Sequence, residues 1–310
     1  MFVILKNLEE LLRSNSRLHP QTGQLLQAQY QSPPQKRKAI SRQSLCESVL
    51  RYEESIPWTD LAAVMNRVRE LSLKEQDRIV YVTESQTLKN WLLNPMNAVL
   101  LIRGNSEDTD NSASAMSFVA AHVIQSARQI KKSRLLCLHW FAGQHRNVRG
   151  DLDANVHGII RSLIGQLVHM YNGFDLYFLK RSWALAMREN DLTVLCDVFD
   201  ELIFQLPEKT VVFCVIDWLA CLEYQQREEV ELLLERLQAI ARHASGKGCV
   251  FKLLLTHSGG IFRAAALFQG DGEILDVREN GEGARMGINN RMWDAKVGVN
   301  IDHLAVRSKR

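Results

Sequence analysis

An α/β fold built on a parallel sheet is predicted by two features of the chain. Continuous apolar runs of strand length recur at 97–102, 134–141, 210–217 and 249–256, with a weaker fifth at 273–277. Unbroken apolarity over so few residues marks a strand buried on both faces. Amphipathic helical stretches separate the runs, and strands alternating with helices read as β-α units wound about a parallel sheet. The expected architecture is a three-layer sandwich with a mainly parallel five-stranded sheet, preceded by a helical N-terminal segment.

Residues 1–57 form the first expected region, helical and loosely ordered. Leu8, Leu11 and Leu12 share one face of a short helix, which Ser14 to Pro20 breaks. A Gln-rich stretch then runs into Pro33-Pro34 and the basic triplet Lys36, Arg37 and Lys38. The prolines bar a helix there. The triplet reads as a solvated linker or as a nuclear-import or acid-binding patch.

The second region, 58–279, holds the α/β body. Leu61, Val64, Met65, Val68 and Leu71 make the apolar face of a helix over 60–71, entered through Thr59 or Asp60 as a cap. A short helix with Trp91 covers 86–93 and closes at Asn94-Pro95. The first strand ends at Arg103-Gly104. Helices are then expected over 117–130, 158–170, 192–206 and 229–242, each with an apolar stripe at helical spacing. The third region, 280–310, is rich in Gly, Asn and Arg, weakly patterned and predicted to be a poorly packed tail.

Hydrophobic residues are 46% and charged residues 24% of the 310, the profile of an ordinary globular chain. Lys+Arg 38 against Asp+Glu 35 gives +3, too balanced for binding driven by bulk charge. Basic residues interleaved with aromatics are absent, which argues against a nucleic-acid platform. No apolar run is long enough for a bilayer, and the first residues do not make a signal-peptide core. A cytoplasmic location is expected. Cys46, Cys137, Cys196, Cys214, Cys221 and Cys249 are widely spaced without a CxxC pair and are expected as core residues in a reducing compartment. His139, His145 and His157 cluster around the end of the second strand, but their spacing matches no zinc template. Gly281 to Gly287 is a near miss to a dinucleotide fingerprint without a βαβ unit after it, and is expected as a loop. Neither Ser117 nor Ser258-Gly259-Gly260 forms a nucleophile elbow.

In an open parallel sheet, ligands bind beyond the carboxyl ends of the strands. That rule selects the loop from Gly104 and Asn105, the residues after Phe141, the stretch opening with Asp217, and Thr256. Gly104 follows a buried strand and precedes a helix, as the first glycine of a phosphate loop does. A strand-to-helix turn also favours glycine without any ligand. Asp217 ends an apolar strand, where such enzymes place the carboxylate that orients magnesium. Its alternative role is a strand-end carboxylate bonded to backbone amides. Thr256 ends a later strand, where a polar residue can sense the terminal phosphate. Glu223 either turns into the cleft or begins the charged surface stretch 223–229.

These positions resemble a family. The order strand–Gly loop–helix, strand–Asp, then Leu253-Leu254-Leu255-Thr256 looks like the P-loop NTPase core of the STAND class. More closely it resembles the nephrocystin-like, NACHT-related proteins of filamentous fungi. The resemblance spans roughly 88–277 and includes Leu138-His139-Trp140-Phe141 and Phe213-Cys214-Val215-Ile216-Asp217. An active phosphate loop reads G-x-x-x-x-G-K-[ST]. Counted from Gly104, this chain has Thr109 for the second glycine, Asp110 for the lysine and Asn111 for the Ser/Thr, with Glu107 and Asp108 adding negative charge. One like-charge pair at about 4 Å costs roughly 1–4 kcal/mol, so three acids beside a triphosphate oppose the binding energy of a weak ligand. No acid follows Asp217 directly; Trp218, Leu219 and Ala220 do.

The resemblance with this departure implies a module without hydrolytic activity and without cofactor, acting through protein contacts as a STAND-type scaffold or signalling fragment. The alternative is a residual switch for ATP or GTP with magnesium, held by Gly104, Asn105, Asp217, Glu223 and Thr256, with Arg103 or Arg146 supplying the missing cation. No metal centre, membrane or nucleic-acid partner is expected.

Overall fold

The computed structural model describes residues 40–106, 114–130, 134–147, 149–218, 220–223, 225–243, 248–259, 263–277 and 301. The helix expected near the N-terminus, the basic triplet, the acids Glu107, Asp108 and Asp110 with Thr109 and Asn111, and the Gly281 to Gly287 loop lie outside the described residues.

Each predicted apolar run is a strand: β1 (Ala98–Ser106), β2 (Leu135–Phe141), β3 (Val211–Asp217), β4 (Val250–Gly259) and β5 (Ile274–Asp276). They form one five-stranded sheet in the order β2-β3-β4-β1-β5, and every pairing is parallel. Successive side chains on a strand point to opposite faces, so an apolar run feeds two cores at once. On β3, Val211, Phe213 and Val215 enter one core while Val212, Cys214 and Ile216 enter the other. The result is the three-layer α/β sandwich expected from the sequence.

Before β1 come α1 (Ser55–Asn66), α2 (Leu73–Glu84) and α3 (Gln86–Leu93). They share a core with α4 (Ala115–Gln129), the crossover from β1 to β2. The opposite face carries α5 (Val156–Met170), α6 (Arg181–Arg188), α7 (Leu192–Phe204) and α9 (Arg227–His243); the single turn α8 (Ala220–Glu223) precedes α9. Side-chain caps start many of these helices: Ser72, Ser85, Ser114, Asn155 and Asp191 each accept a backbone N–H of the first turn. α1 starts at Ser55, ahead of the expected 60, because Pro57 sits in the first turn, where its missing N–H costs no bond. From residue 42 a helical turn runs into a π-helix, Leu45–Leu50, whose Leu45, Val49 and Leu50 are buried in the α5 core.

The sheet edge at β2 is closed by a side chain. Gln166 of α5 accepts from the His139 N–H at 3.0 Å and donates to the His139 carbonyl at 2.8 Å, as a neighbouring strand would. His139 Nε2 lies 2.8 Å from the Pro57 carbonyl, so the same residue also fastens α1 to the sheet.

β1 is the point where the winding reverses. Its crossover α4 leaves on one face, whereas the turn after neighbouring β4, Arg263–Leu267, packs on the other through Ala264 and Ala265. Adjacent strands that send their connections to opposite faces leave a crevice at their carboxyl ends. Among the described residues no helix is long and apolar enough to cross a membrane.

Candidate functional site at the carboxyl end of the sheet

Register places one transverse row at the carboxyl ends: Phe141, Asp217, Thr256, Ile102 and Leu275 are successive partners across the five strands. Phe141, Ile102 and Leu275 lie in the core beneath α4. Asp217 and Thr256 are thus two polar side chains in an otherwise apolar row, 2% and 1% exposed. The Thr256 hydroxyl donates to Asp217 Oδ1, and the Ser117 hydroxyl in the first turn of α4 lies near enough to the Asp217 carboxyl to favour its charged form. Burial pushes the carboxyl up to about 6, and the two hydroxyls pull against that shift. Ser117 is held in turn by Ser114, whose Oγ lies 2.9 Å from the Ser117 hydroxyl and accepts the Ser117 N–H at 3.0 Å.

The strand ends around this cluster carry backbone in the left-handed region. Asn105 has φ 51 and Trp218 has φ 59, conformations that cost a side-chain-bearing residue roughly 1–3 kcal/mol and gather at ligand and switch sites. Gly104 is not the turn that ends β1. The pairing with β4 shifts between Arg103 and Ser106, so Gly104-Asn105 forms a bulge and the strand resumes at Ser106 opposite Gly259. Asn105 Nδ2 donates to the Val277 carbonyl at 3.3 Å. Trp218 N–H donates to the Thr256 carbonyl at 2.9 Å, and the Arg146 guanidinium lies 4.4 Å from the Trp218 ring centre.

The structure therefore brings Asp217 and Thr256 together and adds Ser117, while Glu223 goes elsewhere. Both Glu223 oxygens accept backbone N–H groups, from Ala264 at 2.8 Å and Arg263 at 3.2 Å, and cap the turn after β4. Arg103 is engaged by Asp276 through two bonds of 2.6 Å. Lys252, a fully buried cation of β4, lies toward the opposite end of the sheet. There it donates to the carbonyls of Trp91 and Asn94 at the end of α3, and burial pulls its ammonium down to about 7.

The histidines separate. His139 is fully buried and pushed down to about 4 by desolvation. His145 is gripped by Asp151 at 2.6 Å on Nδ1 and by Asp60 at 3.0 Å on Nε2, with its ring stacked on Trp140 at 3.9 Å. Burial alone would lower the His145 pKa, but the two carboxylates outweigh it and raise it. His157 lies in the first turn of α5. Among the described residues, no group of three or more His, Cys, Asp or Glu is arranged to hold a metal ion.

The sequence reading missed Ser117 in this role, and with it Glu75 and Arg78 of α2. Glu75 Oε2 accepts the Ala115 N–H at 2.7 Å, and Glu75 Oε1 accepts from Arg78 Nη1 at 2.6 Å. The spacing Ser72-x-x-Glu75 is the capping-box signature that would have marked α2, although the Glu75 carboxylate serves the first turn of α4.

A scan against family models adds a relationship at this point. Residues 80–257, from the last turns of α2, after Glu75 and Arg78, through Thr256, match the model described as Nephrocystin 3, N-terminal. The chain belongs to the nephrocystin-3 N-terminal family. No curated protein and no solved structure was found that matches the chain. The nephrocystin-3 N-terminal match takes in β1 to β3, β4 as far as 257, and the cluster of Ser117, Asp217 and Thr256, and it leaves out α1, the start of α2 and β5.

Proposed function

We infer that this chain is an NTPase-like module that does not turn over nucleotide and that acts through protein contacts, as a STAND-type scaffold or signalling fragment. The neighbourhood of Asp217 carries the reading. In an active phosphate loop the Ser/Thr and the strand-end Asp hold the same magnesium ion, so the hydroxyl residue beside the Asp marks the last position of G-K-[ST]. Here that residue is Ser117, and the two before it are Ala115 and Met116. Met116, where the lysine belongs, is 1% exposed and packed in the core with the rest of α4. Counted instead from Gly104, the lysine position is Asp110. Under either register, no ammonium meets the β- and γ-phosphates.

The residues present therefore do not fit magnesium nucleotide, and no hydrolytic step runs through it. Asp217 keeps its hydroxyl partners within the protein, Arg103 is bound to Asp276, and Glu223 caps another turn. The degenerate phosphate loop and the NACHT-related, fungal affinity of the motif order belong to the same reading.

A residual Mg–nucleotide switch is the second reading, and the convergence of Ser117, Asp217 and Thr256 at the crevice favours it. Phosphate release from ATP and GTP with magnesium separates the two. The expected rate for the purified chain equals the protein-free blank. Release above the blank that disappears in Asp217→Ala establishes the switch and overturns the contact module.

A further inference from the structure

The first turn of α4 already has an anion on it, supplied by the chain. The turn belongs to a fifteen-residue helix, whose leading N–H groups and dipole favour negative charge. Ala115 N–H donates to Glu75 Oε2 at 2.7 Å, and the Ser117 N–H is taken by the Ser114 hydroxyl. The other Glu75 oxygen accepts from Arg78 Nη1 at 2.6 Å.

Arg78 is the second observation. Its side chain is 2% exposed, yet Nε and Nη2 are buried without a hydrogen-bond partner. A guanidinium has five N–H donors in a planar fork suited to two-pronged contact with carboxylate or phosphate. Here a single contact to Glu75 accounts for the described bonding, so donors remain beside the anion position at the start of α4. A cation buried this deeply with donors to spare is built for an acceptor with more oxygens than one carboxylate offers.

We propose that Glu75 is a resident anion. Its carboxylate fills the place at the first turn of α4 that the phosphate of a ligand takes, with Arg78 as the cation of the site. This inference rests on the reading of the chain as an NTPase-like module that holds no nucleotide, and it names how the site is closed. It also makes α2 a latch. The helix before β1 is fastened to the crossover after β1 by an internal contact, so the docked arrangement needs no ligand. The missing cation is supplied from α2 by Arg78, rather than by Arg103 or Arg146, and is neutralised by its own neighbour.

The test is a calorimetric titration with inorganic triphosphate, without metal, of the wild-type chain, Glu75→Gln, and Glu75→Gln with Arg78→Met. Glutamine keeps one acceptor oxygen, so Glu75→Gln removes the negative charge and leaves either Arg78 or the Ala115 N–H without its acceptor, and it is expected to bind triphosphate about tenfold more tightly than wild type. The double variant is expected to lose that gain. Equal binding by wild type and Glu75→Gln, or a gain that survives Arg78→Met, overturns the proposal. Should circular dichroism show Glu75→Gln to be unfolded, Glu75→Asp replaces it. The shorter side chain withdraws the carboxylate from the Ala115 N–H while keeping its charge, so a smaller gain in triphosphate binding than for Glu75→Gln is expected, lost again with Arg78→Met; equal binding to wild type overturns the proposal. Failure of the functional reading looks different: wild type itself would hydrolyse Mg–ATP, whatever Glu75→Gln does.

Discussion

Thr256 and Asp217 are register partners on β4 and β3, and the Thr256 hydroxyl donates to the Asp217 carboxylate inside the protein. A carboxylate satisfied by hydroxyls in an apolar row is expensive to keep charged. Its folded pKa of about 6 lies above the ordinary 3.8. Between those values the native state holds a proton that the unfolded chain has released. Stability therefore falls as pH rises from about 4 to about 6 and levels off above. Asp217→Asn removes that loss. The variant is expected to melt higher than wild type at pH 7.5, by up to about 3 kcal/mol from the 3.8-to-6 shift, with the difference fading toward pH 4. Melting curves across that range check it.

His145 titrates in a different window. Its folded pKa is raised above 6.5 because Asp60 and Asp151 outweigh burial. Its contribution is fully present below pH 6.5 and is lost as pH rises through the folded value. The contact joins α1 to the loop before α5, so its loss loosens that junction. In His145→Asn the decline in stability above pH 6.5 is expected to disappear, while the decline between pH 4 and 6 persists. A pH series of melting temperatures on both proteins distinguishes the two slopes.

Much of this architecture is legible in the chain, because strands buried on both faces leave apolar runs that cannot be mistaken for solvated helix. The row ending in Asp217 and Thr256 is legible for the same reason: an abrupt polar residue after such a run marks a strand end. Ser117 is not. Its role depends on where α4 begins, and a count from Gly104 ends at Asn111, short of the serine that meets Asp217. Glu75 and Arg78 escape because α2, Leu73–Glu84, mixes charges with β-branched residues and its mean hydropathy is low. Its partner Ala115 is forty residues away in sequence. Glu223 reads as a cleft or surface acid, yet caps a turn at 263–267 that no local pattern announces.

Gly143 packs against the Trp218 ring near the row. A Cβ on Gly143 would lie 2.8 Å from Trp218 Cε3, closer than side-chain carbons approach, and Trp218 is buried, at 7% exposure. Gly143→Ala is expected to destabilise the fold by about 1–3 kcal/mol, the usual range for overpacking. Urea denaturation is the measurement, and an unchanged midpoint would show that the ring moves at no cost.

Gln166→Leu keeps the bulk of the side chain and removes both bonds to the His139 backbone. Two buried main-chain groups lose their partners, each at roughly 1–3 kcal/mol. The expected result is a loss of about 2–6 kcal/mol together with faster exchange of the His139 amide. A loss of stability without faster exchange would place the effect in packing alone.

The central claim is that Asp217 is held within the protein by Thr256, beside Ser117, at strand ends that lack the lysine for a triphosphate. Calorimetric titration of the wild-type chain with Mg–ATP tests it most directly. The account predicts no saturable heat at millimolar nucleotide. Saturable micromolar binding that vanishes in Asp217→Asn would contradict it.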